Sequence, residues 1–382
     1  MTDTADVVVV GGGIVGCSIA YNLARLGAGR VILLERGYLA SGSTGRCGAG
    51  TRMQWGTETN CLLSRESTHM LENLAELLEV DVDIELHQGG YLMPAYTEKM
   101  AGQFKKNLEL QNTLDIPARW VTPQEAKEIV PLLNTDGMIG ATFCAKDGHC
   151  NPFKATEAYA RAARRLGVEI RTYTEVTGLY AECCNIRKVK TTTGDISTSH
   201  VVMAAGGYSK PLCRTVGVEI PLYPERHEIL VTEPVDPVQE AMVMSFHHNL
   251  YCQQSPHGSF IMGIGHPDLP ESFDTRSSWE FLQEMARRVL KVLPGLAGLN
   301  VIRQWAGLYD MSPDRQPILG PVGGVDGLHI AAGFSGHGFM ISPVVGRIVA
   351  EKLLGLPTVL PVDMFDAGRF QRGELFIEPS VV

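Results

Sequence analysis

Gly11, Gly13 and Gly16 stand at G-x-G-x-x-G spacing directly after Val7-Val8-Val9-Val10, and an acid, Glu35, closes the next apolar run, Val31-Ile32-Leu33-Leu34. That arrangement is suited to holding a dinucleotide. Four β-branched residues predict a strand buried on both faces, and the glycines turn it into a helix that begins at Ile14. Gly11 permits the tight turn, Gly13 lets backbone approach a pyrophosphate, and Gly16 lets helix and strand pack closely. The helix N-terminus offers N–H groups and partial positive charge to phosphates. Glu35, nineteen residues past Gly16, is placed to accept hydrogen bonds from an adenosine ribose.

The positioning elements are interleaved along the chain. Ile14 to Leu26 reads as a helix stopped at Gly27, and Ser41 to Thr51 as a Gly/Ser/Thr-rich loop suited to close backbone contact with a ligand. Thr59 to Leu78 has helical periodicity. Residues 86–144 mix short strands and helices; Asn151-Pro152 then opens a helix over 154–166 and a strand over 168–173. Val201 to Gly207 and Leu328 to Gly333 each read as a buried strand running into glycine, the second followed by a helix to about Leu354. Residues 223–304 predict a β-rich layer with one helix near Ser278 to Val292, and Gly323 to Gly327 a hairpin turn. The fold class expected is α/β with an α+β second domain. The chain therefore leaves and re-enters its nucleotide domain more than once.

Composition sets the outer limits. With 382 residues, 45% hydrophobic and 20% charged, the chain is long enough for two lobes. A net charge of −9 argues against nucleic acid and anionic membrane surfaces as partners. No apolar run approaches the roughly 18 residues of a membrane span. The N-terminus has no basic signal region, so a cytoplasmic protein is expected, peripheral to the inner membrane face only through partners. Nine scattered cysteines without any C-x-x-C form neither a disulfide framework nor a metal pattern, and no metal is expected. Cys47, inside the glycine-rich loop, is the one to watch. No second nucleotide fingerprint is present, which disfavours a reductase fed by NAD(P)H. Gly333, Gly336 and Gly338 supply instead a flexible turn able to wrap a flat ring system.

Taken together, GGGIVG with Glu35, AAGGYS (204–209), MSPDRQPILG (311–320) and GFSGHGF (333–339) resemble the FAD-dependent amino-acid oxidases, the group of D-amino-acid, glycine and sarcosine oxidases. GSTGRCGAGTRMQWGTETN (42–60) is most similar to the β subunits of heteromeric L-proline dehydrogenase and sarcosine oxidase. The resemblance implies a Rossmann-like FAD domain assembled from 1–85, 145–222 and 305–382 and a mixed-sheet substrate domain from 86–144 and 223–304, with FAD held by Gly11, Gly13, Ile14, Gly16, Glu35, Arg36, Ser43, Thr44, Val176, Gly206, Gly307, Gly333, Gly336, His337, Gly338, Phe339 and Met340. It implies Arg52 as the fork for a substrate carboxylate, with His227 and Tyr251 lining the substrate side and positioning the amine. Monomeric sarcosine oxidases carry a lysine where this chain has Met340, and attach FAD through a cysteine where it has Gly307. Non-covalent FAD and a dehydrogenase-type β subunit follow. The expected reaction is oxidation of the Cα–N bond of a proline- or sarcosine-like amino acid, with electrons passed to a partner subunit or a quinone. Such relatives hold FMN at a subunit interface, and His149 in Lys146–Pro152 is the residue to inspect for it. A stand-alone oxidase using O2 and a non-catalytic flavin-binding subunit are the alternatives.

Overall fold

The computed structural model describes residues 3–265 and 270–380. Val7–Val10 is the fourth strand of a six-stranded sheet ordered Ile318–Pro321, Leu328–Ala332, His200–Met203, Val7–Val10, Val31–Leu34, Glu169–Arg171. All neighbours run parallel except the first two, which form an antiparallel hairpin through the 323–327 glycines. The alternation of side chains explains the β-branched run. Val7, Val9, Val31 and Leu33 enter one core and Val8, Val10, Ile32 and Leu34 the other, so neither face meets water.

The first core is covered by helices. Ile14–Arg25 packs between Gly338–Leu353 and the alanine-rich Pro152–Arg165. Contact with the last helix is so close that a Cβ on Gly346 would lie 2.0 Å from Ser18 Oγ. A four-stranded sheet, ordered Asp3–Thr4, Ile196–Ser197, Asn185–Thr191, Val176–Glu182, supplies Val176, Leu179, Ile186, Val189 and Ile196 to the second core.

The remaining large sheet has eight strands: Val301–Met311, Tyr223–Pro234, Ser259–Gly265, Leu250–Gln254, Met242–Ser245, Tyr91–Ala95, Gly140–Cys144 and Ala118–Val121. Only the Met242–Ser245/Tyr91–Ala95 pair is parallel. Helix Trp279–Val292 buries Phe281, Met285, Val289 and Val292 in the core of this sheet, and Ser278 Oγ caps its start by accepting from Phe281 N at 3.1 Å.

Three boundaries differ from the sequence reading. Strand Val301–Met311 pairs along its length with Tyr223–Pro234, so this sheet continues to Met311 instead of ending at 304. The helical stretch 59–78 is two helices, Glu58–Glu72 and Leu74–Leu78, broken at Asn73, whose side chain donates back to His69 O. Helix Pro152–Arg165 starts at Pro152 rather than 154. Proline is tolerated at the first helical position, and Asn151 Oδ1 caps Phe153 N and Lys154 N.

Candidate active site

The glycine turn folds as its composition requires. Gly11 has φ +113, and a Cβ there would meet Ala204 O at 2.3 Å; a Cβ on Gly16 would lie 1.9 Å from Gly11 O. Gly16 therefore acts through helix–strand packing and does not line the cavity beyond the turn. That cavity, of ≈ 330 Å³, runs along the carboxyl ends of the parallel strands. Of the expected cofactor contacts, Gly11, Gly13, Ile14, Glu35, Arg36, Ser43, Thr44, Val176, Gly206, Gly336, Gly338 and Phe339 line it.

At Glu35 the carboxylate organises its own loop. Oε2 accepts from Gly12 N at 2.8 Å, while Oε1 accepts from Gly37 N at 2.8 Å and Ser41 Oγ at 3.1 Å. Arg36 lies over the Tyr208 ring at 3.8 Å. Glu35→Ala is expected to weaken FAD binding at least tenfold, since a hydrogen bond to a charged group contributes about 1.5–3 kcal/mol. Fluorescence titration of apoprotein with FAD reads this directly, and an unchanged dissociation constant would remove Glu35 from the ribose role.

Around Arg46 gather Cys47, which the sequence singled out, and Trp305, Tyr309 and Asp310, which it did not. Arg46 Nη1 donates to Ala306 O at 2.9 Å, and Trp305 Nε1 donates to Arg46 O at 3.1 Å. Cys47 and Tyr309 line the cavity beside it; burial pushes the Cys47 thiol up to about 11, so it is protonated and a poor nucleophile at neutral pH. Asp310 Oδ2 accepts from Gly333 N at 2.7 Å and fixes the glycine turn 333–336, burial raising its carboxyl to about 6. No motif announced Tyr309 or Asp310. Their only signal was the flanking MSPDRQPILG segment, which lies just downstream.

The other expected contacts lie behind the lining. Gly307 sits on its strand opposite His227, where a Cβ would meet Arg46 Cβ at 3.1 Å. Gly333 (φ +80) packs on Leu222 and Ile318, and Met340 joins the cluster of Trp55 and Cys61. His337 is buried against Trp55, with ring centroids 5.2 Å apart, between the lining residues Gly336 and Gly338. Burial, and then the charge of Arg52, pull His337 down to about 3, so its ring is neutral across the physiological range.

Of the three expected catalytic residues, His227 and Tyr251 stack together, and Arg52 ends the loop 46–52. His227 stacks between Tyr309 (4.3 Å, 10°) and Tyr251 (5.7 Å, 4°), and Tyr251 reaches Gly48 at the loop. Arg52 has its guanidinium 3.8 Å over Trp55. Its Nη1 donates to Gln54 O at 3.3 Å and its Nη2 to Ser380 O at 3.0 Å, while Nε is buried without a partner among the described residues. The loop is held from below by Asp147, which accepts from Met53 N at 2.7 Å and Gln54 Nε2 at 2.8 Å. Burial raises this carboxyl to about 7. His149, in the strand paired with Gly50–Thr51, has its ring 5.4 Å from His87.

A glycine cradle at the end of a parallel sheet, an acid on the adjoining loop and a second glycine turn closing the same cavity define a flavoprotein oxidoreductase. The chain belongs to the FAD-dependent oxidoreductase family, whose model matches residues 6–352. It is 30% identical over 381 residues to a sarcosine oxidase subunit beta of Rhodobacter capsulatus, covering 98% of this chain and 91% of that protein. Its structure is similar to that of an L-proline dehydrogenase from P. horikoshii (38% identity, TM-score 0.93, covering 98% and 100% of the two chains). A glycine oxidase from Geobacillus kaustophilus is also similar (26% identity, TM-score 0.87, covering 96% and 99%). Among the described residues no helix is long and apolar enough to cross a membrane.

Proposed function

We propose that this chain oxidises the Cα–N bond of a small or secondary amino acid, proline- or sarcosine-like, as the β catalytic subunit of a heteromeric dehydrogenase. The observation that carries this reading is Arg52. It is a buried guanidinium with an unpartnered Nε, set beside His337, whose neighbours Gly336 and Gly338 line the cofactor cavity. A planar fork buried among Trp55, Met93 and Phe246 suits a carboxylate, because the apolar wall strengthens the ion pair and fixes its direction.

FAD, held non-covalently, supplies acceptance of the hydride equivalent. The residues of the chain do the rest. Gly11, Gly13 and the start of the first helix take the pyrophosphate, Glu35 takes the ribose, and Gly336 to Phe339 cradle the ring. Arg52 holds the carboxylate and so fixes which Cα–H bond faces the ring. The Tyr309–His227–Tyr251 stack forms a wall that orients the amine. Neutral His337 adds no second positive charge beside Arg52, which keeps a cationic amine from being further disfavoured. In this reading the FAD lobe comprises 1–85, 145–222 and 312–382 and the substrate lobe 86–144 and 223–311, a division supported by the pairing of Val301–Met311 with Tyr223–Pro234.

Electrons leave to an acceptor on a partner subunit, an assignment supported by the β-subunit name of the Rhodobacter relative and by Met340 and Gly307. A second flavin, FMN, belongs near Lys146–Pro152, where His149 Nε2 is buried without a partner among the described residues and burial lowers the ring to about 4. Purification of the chain alone and with its partner subunits tests the assembly. FAD alone in the first, FAD plus FMN in the second, and dye reduction by L-proline or sarcosine without matching peroxide are expected. Peroxide equal to substrate consumed by the isolated chain would instead establish a stand-alone oxidase.

A further inference from the structure

Arg52 is 2% exposed, so no carboxylate reaches it unless some covering element moves. The cover comes from three sources. Trp55 lies on the Arg52 loop itself, and Met93 and Phe246 belong to the large sheet and its adjoining turn. The third source is the C-terminal segment 376–380, which differs in kind. Leu375 and Ile377 are 50% and 69% exposed, and the chain then plunges inward, leaving Ser380 1% exposed. This segment belongs to no helix or strand.

Its attachment is polar and concentrated. Glu378 Oε1 accepts from Gly56 N at 2.8 Å, and Oε2 accepts from Thr57 Oγ1 at 2.7 Å and Asn60 Nδ2 at 3.1 Å. Ser380 Oγ accepts from Asn107 Nδ2 at 2.8 Å, and Ser380 O accepts from Arg52 Nη2 at 3.0 Å. At the other end Phe376 N donates to Asp314, which is fixed by Arg369. One end is anchored to a buried ion pair, and the other is held by a single carboxylate and one serine. The group at its tip is a carbonyl oxygen on the very guanidinium edge that an amino-acid carboxylate requires.

We propose that residues 376–380 are a strap closing the carboxylate end of the substrate site, with Glu378 as its latch and the Ser380 carbonyl standing where a substrate carboxylate oxygen binds. The proposal rests on the carboxylate role given to Arg52. Substrate and strap compete for Nη2, so the substrate affinity measured is the intrinsic one reduced by the fraction of molecules with the strap open. The carboxylate outcompetes a neutral carbonyl for the fork because it adds an ion pair and can accept two parallel N–H bonds where the carbonyl accepts one.

The test uses the FAD-loaded protein. Arg52 is modified with phenylglyoxal, and its rate is followed by peptide mass spectrometry in wild type, Glu378→Ala and the milder Asn60→Ala, with circular dichroism confirming each fold. Arg52 is expected to react at least tenfold faster in Glu378→Ala and by a smaller factor in Asn60→Ala, since the latch is a set of charge-assisted bonds. The dissociation constant for L-proline is expected to fall in the same order with the bleaching rate at saturation unchanged. An unchanged modification rate in both folded variants would overturn the strap. A faster modification with no effect of Arg52→Lys on substrate affinity would leave the strap standing and remove Arg52 from the carboxylate role.

Discussion

Arg52→Lys is expected to lower kcat/KM for the amino-acid substrate by about 10- to 10²-fold, the order that follows from losing one charge-assisted hydrogen bond of about 1.5–3 kcal/mol. Lysine keeps the charge and loses the fork. A guanidinium directs two parallel N–H bonds at the two carboxylate oxygens, whereas an ammonium is a point charge that fixes neither oxygen. The loss is expected in both KM and kcat, because a carboxylate free to pivot no longer holds the Cα–H bond against the cofactor ring. FAD content should be unaffected, since Arg52 lies outside the cofactor cavity. Steady-state kinetics with a dye acceptor, alongside the flavin-to-protein ratio, check both halves. Loss of FAD with the activity would mean that Arg52 supports the cofactor instead.

Arg369→Met is expected to destabilise the protein by about 3–5 kcal/mol, because it strands a buried carboxylate. Arg369 and Asp314 are both fully buried and joined at 2.8 and 2.9 Å. Burial works against the Asp314 carboxylate, and the guanidinium outweighs it, holding the group below its ordinary value. Asp314 also accepts from Ser312 Oγ and Gln316 N, so its turn, the strap and the last segment of the chain share one support. Denaturant unfolding of the FAD-loaded protein measures the loss. Asp314→Leu combined with Arg369→Met should recover part of it, since an apolar pair leaves no charge behind. A single variant as stable as wild type would show the pair to be dispensable.

Legibility followed the range of the interaction. The valine run, Gly11 and Gly16 state local requirements of backbone and packing, so Val7–Val10 and its turn could be read from residues adjacent in the chain. The hairpin at Gly323–Gly327 and the helix near Ser278 to Val292 are of the same kind. Tyr309 and Asp310 are different. An alternating strand does not say that its side chains end at a cavity formed 260 residues earlier in the chain by Arg46 and Cys47. Asp147 lies in the segment singled out only for His149, yet it is a buried acceptor holding Met53 and Gln54, a role created only by the pairing of Gly50–Thr51 with Gly148–His149. The family resemblance placed Arg52, His227 and Tyr251 near one another. The two groups they form, and the segment 376–380 over Arg52, depend on tertiary convergence that no spacing encodes.

The most direct measurement is anaerobic titration of the FAD-loaded protein with L-proline, sarcosine, glycine and a panel of other amino acids, following the visible absorbance of the oxidised flavin. Complete bleaching by L-proline or sarcosine, loss of that response at low substrate in Arg52→Lys, and slow return of colour in air are the predicted results. An absorbance that no amino acid or secondary amine changes, in protein that takes up FAD normally, would contradict the assignment of this chain to amino-acid oxidation.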